Sequence, residues 1–133
     1  MTSTHLDALE TRAPADREAA LLAALPAQIA HARSASPAFA EILAGVDPAA
    51  ITSRAALATL PVTRKSELLE RQQAGRAQNV FGGFSTIGFG AAMPRIFSSP
   101  GPMYEPEGTG RDYWRMARAL YAAGFRPGEL AHN

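Results

Sequence analysis

Hydroxyl and glycine residues of the kind that contact phosphate lie close together in residues 96–108. Ser98, Ser99 and Gly101 stand there between a strand-like run and a helix-like run. A loop in such a position binds an anion through consecutive backbone N–H groups, usually with hydroxyls, a cation and the positive end of the following helix. The stretch therefore has the position of a phosphate-binding loop.

The same stretch also contains groups that oppose anion binding. It has three prolines, which lack an N–H group, and two carboxylates, namely Pro100, Pro102, Pro106, Glu105 and Glu107. A carboxylate about 4 Å from a phosphate charge costs roughly 1 kcal/mol in water and several times that when both are desolvated. Two alternatives stay open: a proline-stiffened connector, or a residual nucleotide or substrate contact by Ser98, Ser99 and the backbone of Gly101.

Other residues that commonly carry catalysis are scarce. Lys65 is the only lysine among the 13 basic residues, and its place in the first turn of a predicted helix favours a solvent-exposed structural role. The histidines lie far apart, at His5, His31 and His132. No metal-ligand spacing is present. We therefore assign no metal ligand. We also assign no catalytic residue, because helix capping explains Asp112 and solvent exposure explains Glu107.

Composition excludes several classes of protein. A net charge of +1 over 133 residues gives no field that would attract nucleic acid or an anionic membrane. The chain has no cysteine, which removes disulfides, thiolate nucleophiles and sulfur-ligated zinc. It has neither a leader-like N-terminus nor a run of about 18 apolar residues. We expect a cytoplasmic protein that binds neither nucleic acid nor membrane.

The first half of the chain is predicted to be helical. Leucine and isoleucine at helical spacing predict a helix near residues 14–34, in which Pro26 should produce a kink or a break. A second helix is predicted for residues 37–43. A short third helix is predicted to follow an N-cap at Thr52 or Ser53, and a fourth is predicted for residues 64–73 after an N-cap at Thr63.

The second half begins with a change of pattern at Gly75. Interleaved glycine and phenylalanine predict a loop or irregular strand to about residue 90, which either covers the core or lines an acyl pocket. Residues 93–97 predict a strand.

A well-marked helix is predicted to follow the proline-rich stretch. Thr109 and Asp112 form a capping-box pattern, and an apolar face runs from Tyr113 to Tyr121. Gly124 is the expected left-handed C-cap, and Leu130 is expected to begin another strand. A helix, a turn and a new strand are typical of a crossover unit in a parallel sheet.

Three segments in this order resemble a known enzyme family. They are residues 60–68 (LPVTRKSEL), residues 98–101 (SSPG) and residues 118–129 (RALYAAGFRPGE) with Asn133. Together they resemble the amino-terminal part of phenylacetate-CoA ligase-like, AMP-forming acyl- or aryl-CoA ligases, the adenylate-forming enzymes. The resemblance covers roughly residues 34–133.

The resemblance implies an ATP-dependent reaction in two steps. Such enzymes activate a carboxylic acid as an acyl-adenylate with release of pyrophosphate, and then transfer the acyl group to coenzyme A. It implies ATP, Mg and CoA for the complete parent protein and no cofactor for this chain alone. Ser99 and Gly101 would occupy matching positions of the phosphate loop, whereas Glu105 stands where a lysine is expected.

These observations combine into one expectation for fold and function. We expect a mostly α structure with a few short strands (α+β), the N-terminal piece of a larger α/β adenylate-forming domain. Residues 1–74 would form a helical N-terminal segment, and residues 75–133 would begin a nucleotide- and acyl-binding domain. The chain alone should be inactive, with Ser98, Ser99 and Gly101 as a degenerate phosphate loop. The alternative is a non-catalytic helical interaction module or truncated pseudoenzyme. The expected partner is the remainder of the parent protein or a second copy.

Overall fold

The computed structural model describes residues 4–130, in which helices predominate and two strands form one antiparallel hairpin. The α-helices are α1 (Pro14–Ala35), α2 (Pro37–Ile42), α3 (Arg54–Leu57), α4 (Lys65–Ala74) and α5 (Ala117–Ala122). Short 3-10 helices occupy Ala8–Thr11 and Pro48–Ala50, and the strands are β1 (Arg95–Ser99) and β2 (Met103–Glu107). The predicted mostly helical α+β class is confirmed, whereas membership of a larger α/β domain stays a prediction. No helix of residues 4–130 is both long and apolar enough to cross a membrane.

Helix α1 runs unbroken for 22 residues through Pro26. Pro14 at its start has the fixed φ that suits a first helical turn. Of the predicted kink or break at Pro26, the break is wrong. Leu25 and Ile29, on either side of the proline, pack into the core, and this packing holds the helical path despite the missing hydrogen bond.

The main hydrophobic core lies between α1, α2 and the following turns. Its buried members are Ile29, Leu43 and Ile51. Partly buried apolar side chains surround them, namely Leu25, Ala32, Phe39, Ile42, Val46, Ala56 and Leu60. The helical half of the chain therefore buries its apolar residues mostly against itself.

Helix caps follow the sequence closely in this half. Ser53 caps α3 as predicted, accepting a hydrogen bond from the backbone N of Ala56 at 3.1 Å. Helix α4 begins one residue later than predicted, and its N-cap is Arg64 instead of Thr63. The backbone N of Arg64 donates to Glu67 at 3.2 Å, so the carboxylate supplies the cap that we assigned to the hydroxyl.

The loop between α4 and β1 is attached to the start of α2. Ser36 is almost fully buried, and its hydroxyl donates to the carbonyl oxygen of Gly83 at 2.7 Å. The same oxygen accepts from the backbone N of Ala38 at 3.1 Å. Phe81 is also buried. The predicted loop is confirmed, and its aromatic side chains cover the helices.

The proline-rich stretch is a β-hairpin and not a loop between a strand and a helix. The predicted strand is shifted by two residues to Arg95–Ser99, and a turn at residues 100–102 leads directly into β2. Gly101 has φ of 117°, a conformation that favours glycine and allows the chain to reverse. Pro106 faces Ile96 across the hairpin. A proline is tolerated there because an edge strand has positions that donate no ladder hydrogen bond.

The last predicted helix is much shorter than the sequence indicates. Residues 111–114 form turns, and Asp112 and Arg115 have positive φ values of 51° and 56°. The carboxylate of Asp112 accepts from the backbone N of Met116 at 2.8 Å and of Ala117 at 3.0 Å. Asp112 therefore caps α5 from outside the helix, because a short aspartate side chain can accept hydrogen bonds from the backbone N–H groups of nearby residues.

The predicted end of that helix is confirmed. Gly124 has φ of 105°, and the backbone N of Phe125 donates to the carbonyl of Leu120 at 3.0 Å, which closes the helix end. Leu130 is not in a strand. The rest of that predicted strand, with His132 and Asn133, lies outside the described residues.

Candidate functional site

The predicted phosphate-loop residues lie on the hairpin. Ser98 and Ser99 are the last two residues of β1, and Gly101 is in the exposed turn that follows. A Cβ at Gly101 would meet nothing within 4 Å, so the turn points into open space. The two serines are thus fixed by strand pairing, whereas the glycine serves chain reversal.

An open depression of about 380 Å³ lies on the hairpin beside the two serines. Its lining residues are Phe97, Ser98, Ser99, Glu105 and Trp114. We call this the hairpin depression. Gly101 is not among its lining residues, so the structure brings together two of the three predicted site residues and adds a carboxylate and two aromatic rings.

Aromatic rings form one wall of the hairpin depression. Trp114 packs edge-to-face on Phe97 with ring centroids 5.7 Å apart, and on Tyr113 at 5.2 Å. These arrangements are the ones that aromatic quadrupoles favour. Trp114 nevertheless remains 45% exposed. The sequence assigned it a packing role only, so the open face of the indole is a feature that we missed.

Glu107 is buried beside the same tryptophan, although the sequence predicted an exposed side chain. It is 6% exposed. Its carboxylate accepts from the indole N–H of Trp114 at 2.7 Å and from Nε of Arg95 at 3.0 Å. The Trp114 hydrogen bond and the Arg95 guanidinium lower the pKa of Glu107, against the opposing effect of burial. Arg95 and Glu107 are cross-strand partners, so a correct hairpin register would have revealed the pair.

Glu105 carries an uncompensated negative charge at the hairpin depression. It is exposed, lies opposite Phe97 in the strand register, and has no hydrogen-bond or ion-pair partner within residues 4–130. Arg95, the nearby cation in the hairpin, is already engaged by Glu107. The electrostatics of this surface therefore oppose a phosphate between the serines and favour a neutral or cationic group on the aromatic wall.

Gln72 of α4 fixes the position of the hairpin, although no sequence motif marks this residue. Its side chain is 2% exposed and spans the backbone of Tyr104, donating to the carbonyl oxygen at 2.9 Å and accepting from the N–H at 2.8 Å. A glutamine amide thus takes the place of a neighbouring strand along β2. The only available signal was a polar residue on the inward face of a short helix.

The remaining sequence candidates do not form a site within the described residues. Lys65 is exposed at the start of α4, consistent with a structural role. Residues 4–130 contain no group of three or more His, Asp or Glu side chains that could hold a metal ion. Phe81 stacks on Phe89 with centroids 5.5 Å apart, which fits a loop that covers the core.

Comparison of the chain with protein-family models finds no matching family, and comparison with curated proteins finds no significant match.

Proposed function

We propose that this chain is the N-terminal part of an AMP-forming acyl- or aryl-CoA ligase-like protein and is not catalytic by itself. In the complete protein, ATP-dependent adenylation of a carboxylic acid would precede thioester formation with CoA. The absence of cysteine from these 133 residues supports a cytoplasmic location, because disulfides are rare in that compartment.

The support for this proposal is the ordered set of motifs around an exposed hairpin. Residues 60–68 precede the hairpin, the serines lie on β1, and residues 118–129 follow. Ser98 and Ser99 lie at the rim of an open depression with an aromatic wall. Such a surface suits an acyl or aryl group better than a triphosphate, because Glu105 repels phosphate there.

An exchange assay tests the proposal on the product of the complete reading frame. We expect ATP-dependent exchange of labelled pyrophosphate with at least one member of a panel of aliphatic and aromatic carboxylic acids. Glu105→Lys should strengthen ATP binding, because it replaces repulsion by attraction. Glu70→Lys, an equal charge change on the exposed face of α4, should leave it unchanged. No exchange with any acid, together with no ATP-induced thermal shift, would contradict the ligase function.

A second candidate function is a non-catalytic interaction module. Large apolar side chains remain exposed on the hairpin and on the segment after it, namely Ile96, Phe97, Trp114, Met116, Leu120, Phe125 and Leu130. Unpaired strand edges and exposed apolar surface are typical of sites that bind a partner or a second copy. Sedimentation of the chain at low micromolar concentration should then show self-association, whereas a monomer would count against this candidate.

A further inference from the structure

Three arginine side chains line a second depression, which shares no lining residue with the hairpin depression. It has a volume of about 340 Å³ and is lined by Leu6, Asp7, Arg111, Asp112, Arg115 and Arg118. We call it the arginine depression. Residues near the N-terminus and residues more than 100 positions later meet here.

Arg118 already binds one oxyanion in this depression. Its Nη2 donates to Asp7 Oδ2 at 2.9 Å and its Nε donates to the same oxygen at 3.2 Å. Planar guanidinium groups recognise carboxylate and phosphate oxygens in this way. The Asp7 carboxylate therefore occupies a position that an external oxyanion could take.

Two further guanidinium groups are not engaged. Arg111 and Arg115 make no ion pair or hydrogen bond through their side chains to any residue of the described range 4–130. The carboxylate of Asp112 accepts hydrogen bonds from two backbone N–H groups at the start of α5 and not from these arginines. Three arginines against two aspartates leave the lining with a formal charge of +1.

The backbone holds this arrangement at a conformational cost. Arg115 has φ of 56°, a left-handed conformation that an arginine rarely adopts. The backbone N of Arg115 donates to the carbonyl of Asp112 at 2.8 Å, and Asp112 is itself left-handed. Such conformations persist where the surrounding structure enforces them, and they often occur at binding sites.

We propose that the arginine depression binds a small phosphate-type oxyanion with at least two negative charges. Arg111 and Arg115 supply the unengaged donors, and Arg118 exchanges the Asp7 carboxylate for an oxygen of the ligand. A volume of about 340 Å³ suits a small molecule. This site does not depend on the proposed ligase function, because it involves neither the hairpin nor an acyl substrate.

Calorimetric titration of the full chain at constant ionic strength tests the proposal. Pyrophosphate, inorganic phosphate and acetate are the probes, and we expect affinity to decrease in that order. Arg111→Gln and Arg115→Asn should each weaken pyrophosphate binding by about tenfold, the size of one charge-assisted contact. Asparagine is chosen at position 115 because it tolerates a left-handed backbone. Asp7→Asn should strengthen binding, because it removes the competing carboxylate.

Lys65→Gln provides the matched control, since it removes one exposed positive charge away from the depression. It should leave pyrophosphate affinity unchanged. The proposal is overturned if pyrophosphate shows no saturable binding, if Lys65→Gln weakens binding as much as Arg115→Asn, or if Asp7→Asn weakens it. Circular dichroism of each variant identifies any loss of fold. If Arg115→Asn unfolds the chain, Arg111→Gln alone decides, because its backbone φ is ordinary.

Discussion

The helical half of the chain and the hairpin half differ in how far their apolar side chains are buried. Between residues 14 and 74, Ile29, Leu43 and Ile51 are buried in one cluster with a shell of partly buried neighbours. Between residues 95 and 130, helix α5 has no buried residue and the strand β1 has none either. The difference indicates that the first region is held by its own core, whereas the second is held by a few specific contacts and leaves several aromatic side chains exposed.

Those specific contacts are mainly polar. Gln72 attaches β2 to α4, Glu107 joins Arg95 to Trp114, and Asp7 joins the N-terminal 3-10 helix to Arg118. Polar contacts of this kind are directional, so they define the position of the hairpin without covering its apolar surface. Substitutions in the two halves should therefore have effects of different size and kind.

The largest effect is expected in the helical core. Ile29→Ala should lower the free energy of unfolding by about 2–5 kcal/mol, because it removes a buried side chain and leaves a cavity. Leu21→Ala, on the same helix at a side chain that is 63% exposed, should change it by less than about 0.5 kcal/mol. Urea denaturation followed by circular dichroism measures both. Equal losses would show that α1 does not form the core.

An effect of similar size is expected at the contact between the loop and α4. A Cβ at Gly82 would lie 2.8 Å from the backbone N of Gln72, and its φ is 60°. Gly82→Ala should cost about 1–2 kcal/mol in left-handed strain. Overpacking should add about 1–3 kcal/mol.

Gly88 is the control for this substitution, because a Cβ there meets nothing within 4 Å. Gly88→Ala should leave thermal stability close to that of the wild type. If the two variants have the same melting temperature, the loop does not approach α4 as closely as the structure shows.

A smaller effect with a local signature is expected at Gln72. Gln72→Ala removes both side-chain hydrogen bonds to Tyr104 and should cost about 1–3 kcal/mol. Hydrogen exchange at the Tyr104 amide should accelerate, while the amides of the helical core keep their protection. Gln73→Ala changes the exposed neighbouring glutamine and should alter neither quantity.

The smallest effect is expected from pH. The pKa of Glu107 is lowered from its ordinary value of 4.5, first by the Trp114 hydrogen bond and then by Arg95. A lowered folded-state pKa stabilises the protein above the unfolded value, and this contribution is lost as pH falls through the folded value. Stability should therefore decrease as pH drops below about 4.5.

Trp114 reports this titration directly, because it is the only tryptophan in the chain. Its fluorescence should change with Glu107 protonation, and Glu107→Gln should weaken the pH dependence. Asp7 contributes with the same sign, since Arg118 lowers its pKa, so some dependence remains. Glu70→Gln, on the exposed face of α4, should behave like the wild type, and a fluorescence profile unaffected by Glu107→Gln would contradict the Trp114 contact.

The elements that the sequence predicts well are those defined by local signals. Helix α1, the Ser53 cap and the Gly124 helix end depend on side-chain spacing and on neighbours within four residues. The errors arise where contacts between residues far apart in the sequence determine the local structure. The stretch after Ser99 becomes a hairpin because β2 attaches to Gln72, which is 32 residues away from Tyr104.

The candidate site was predictable only in part. Ser98, Ser99 and Glu105 lie together at a surface depression. The phosphate-loop role of the serines stays a prediction. The burial of Glu107, the open face of Trp114 and the arginine depression required the folded chain, because each depends on a partner from another segment.

The sequence by itself determined the mostly helical class, the Ser53 cap, the helix end at Gly124 and the absence of cysteine chemistry, since these follow from residue type and short-range spacing. Tertiary structure decided which strand pairs with which, where Gln72 acts, and which charges lie unpaired at a surface. The physical reason is that hydrogen bonding within a helix is local, whereas strand pairing and the compensation of charge depend on residues brought together from far apart in the chain.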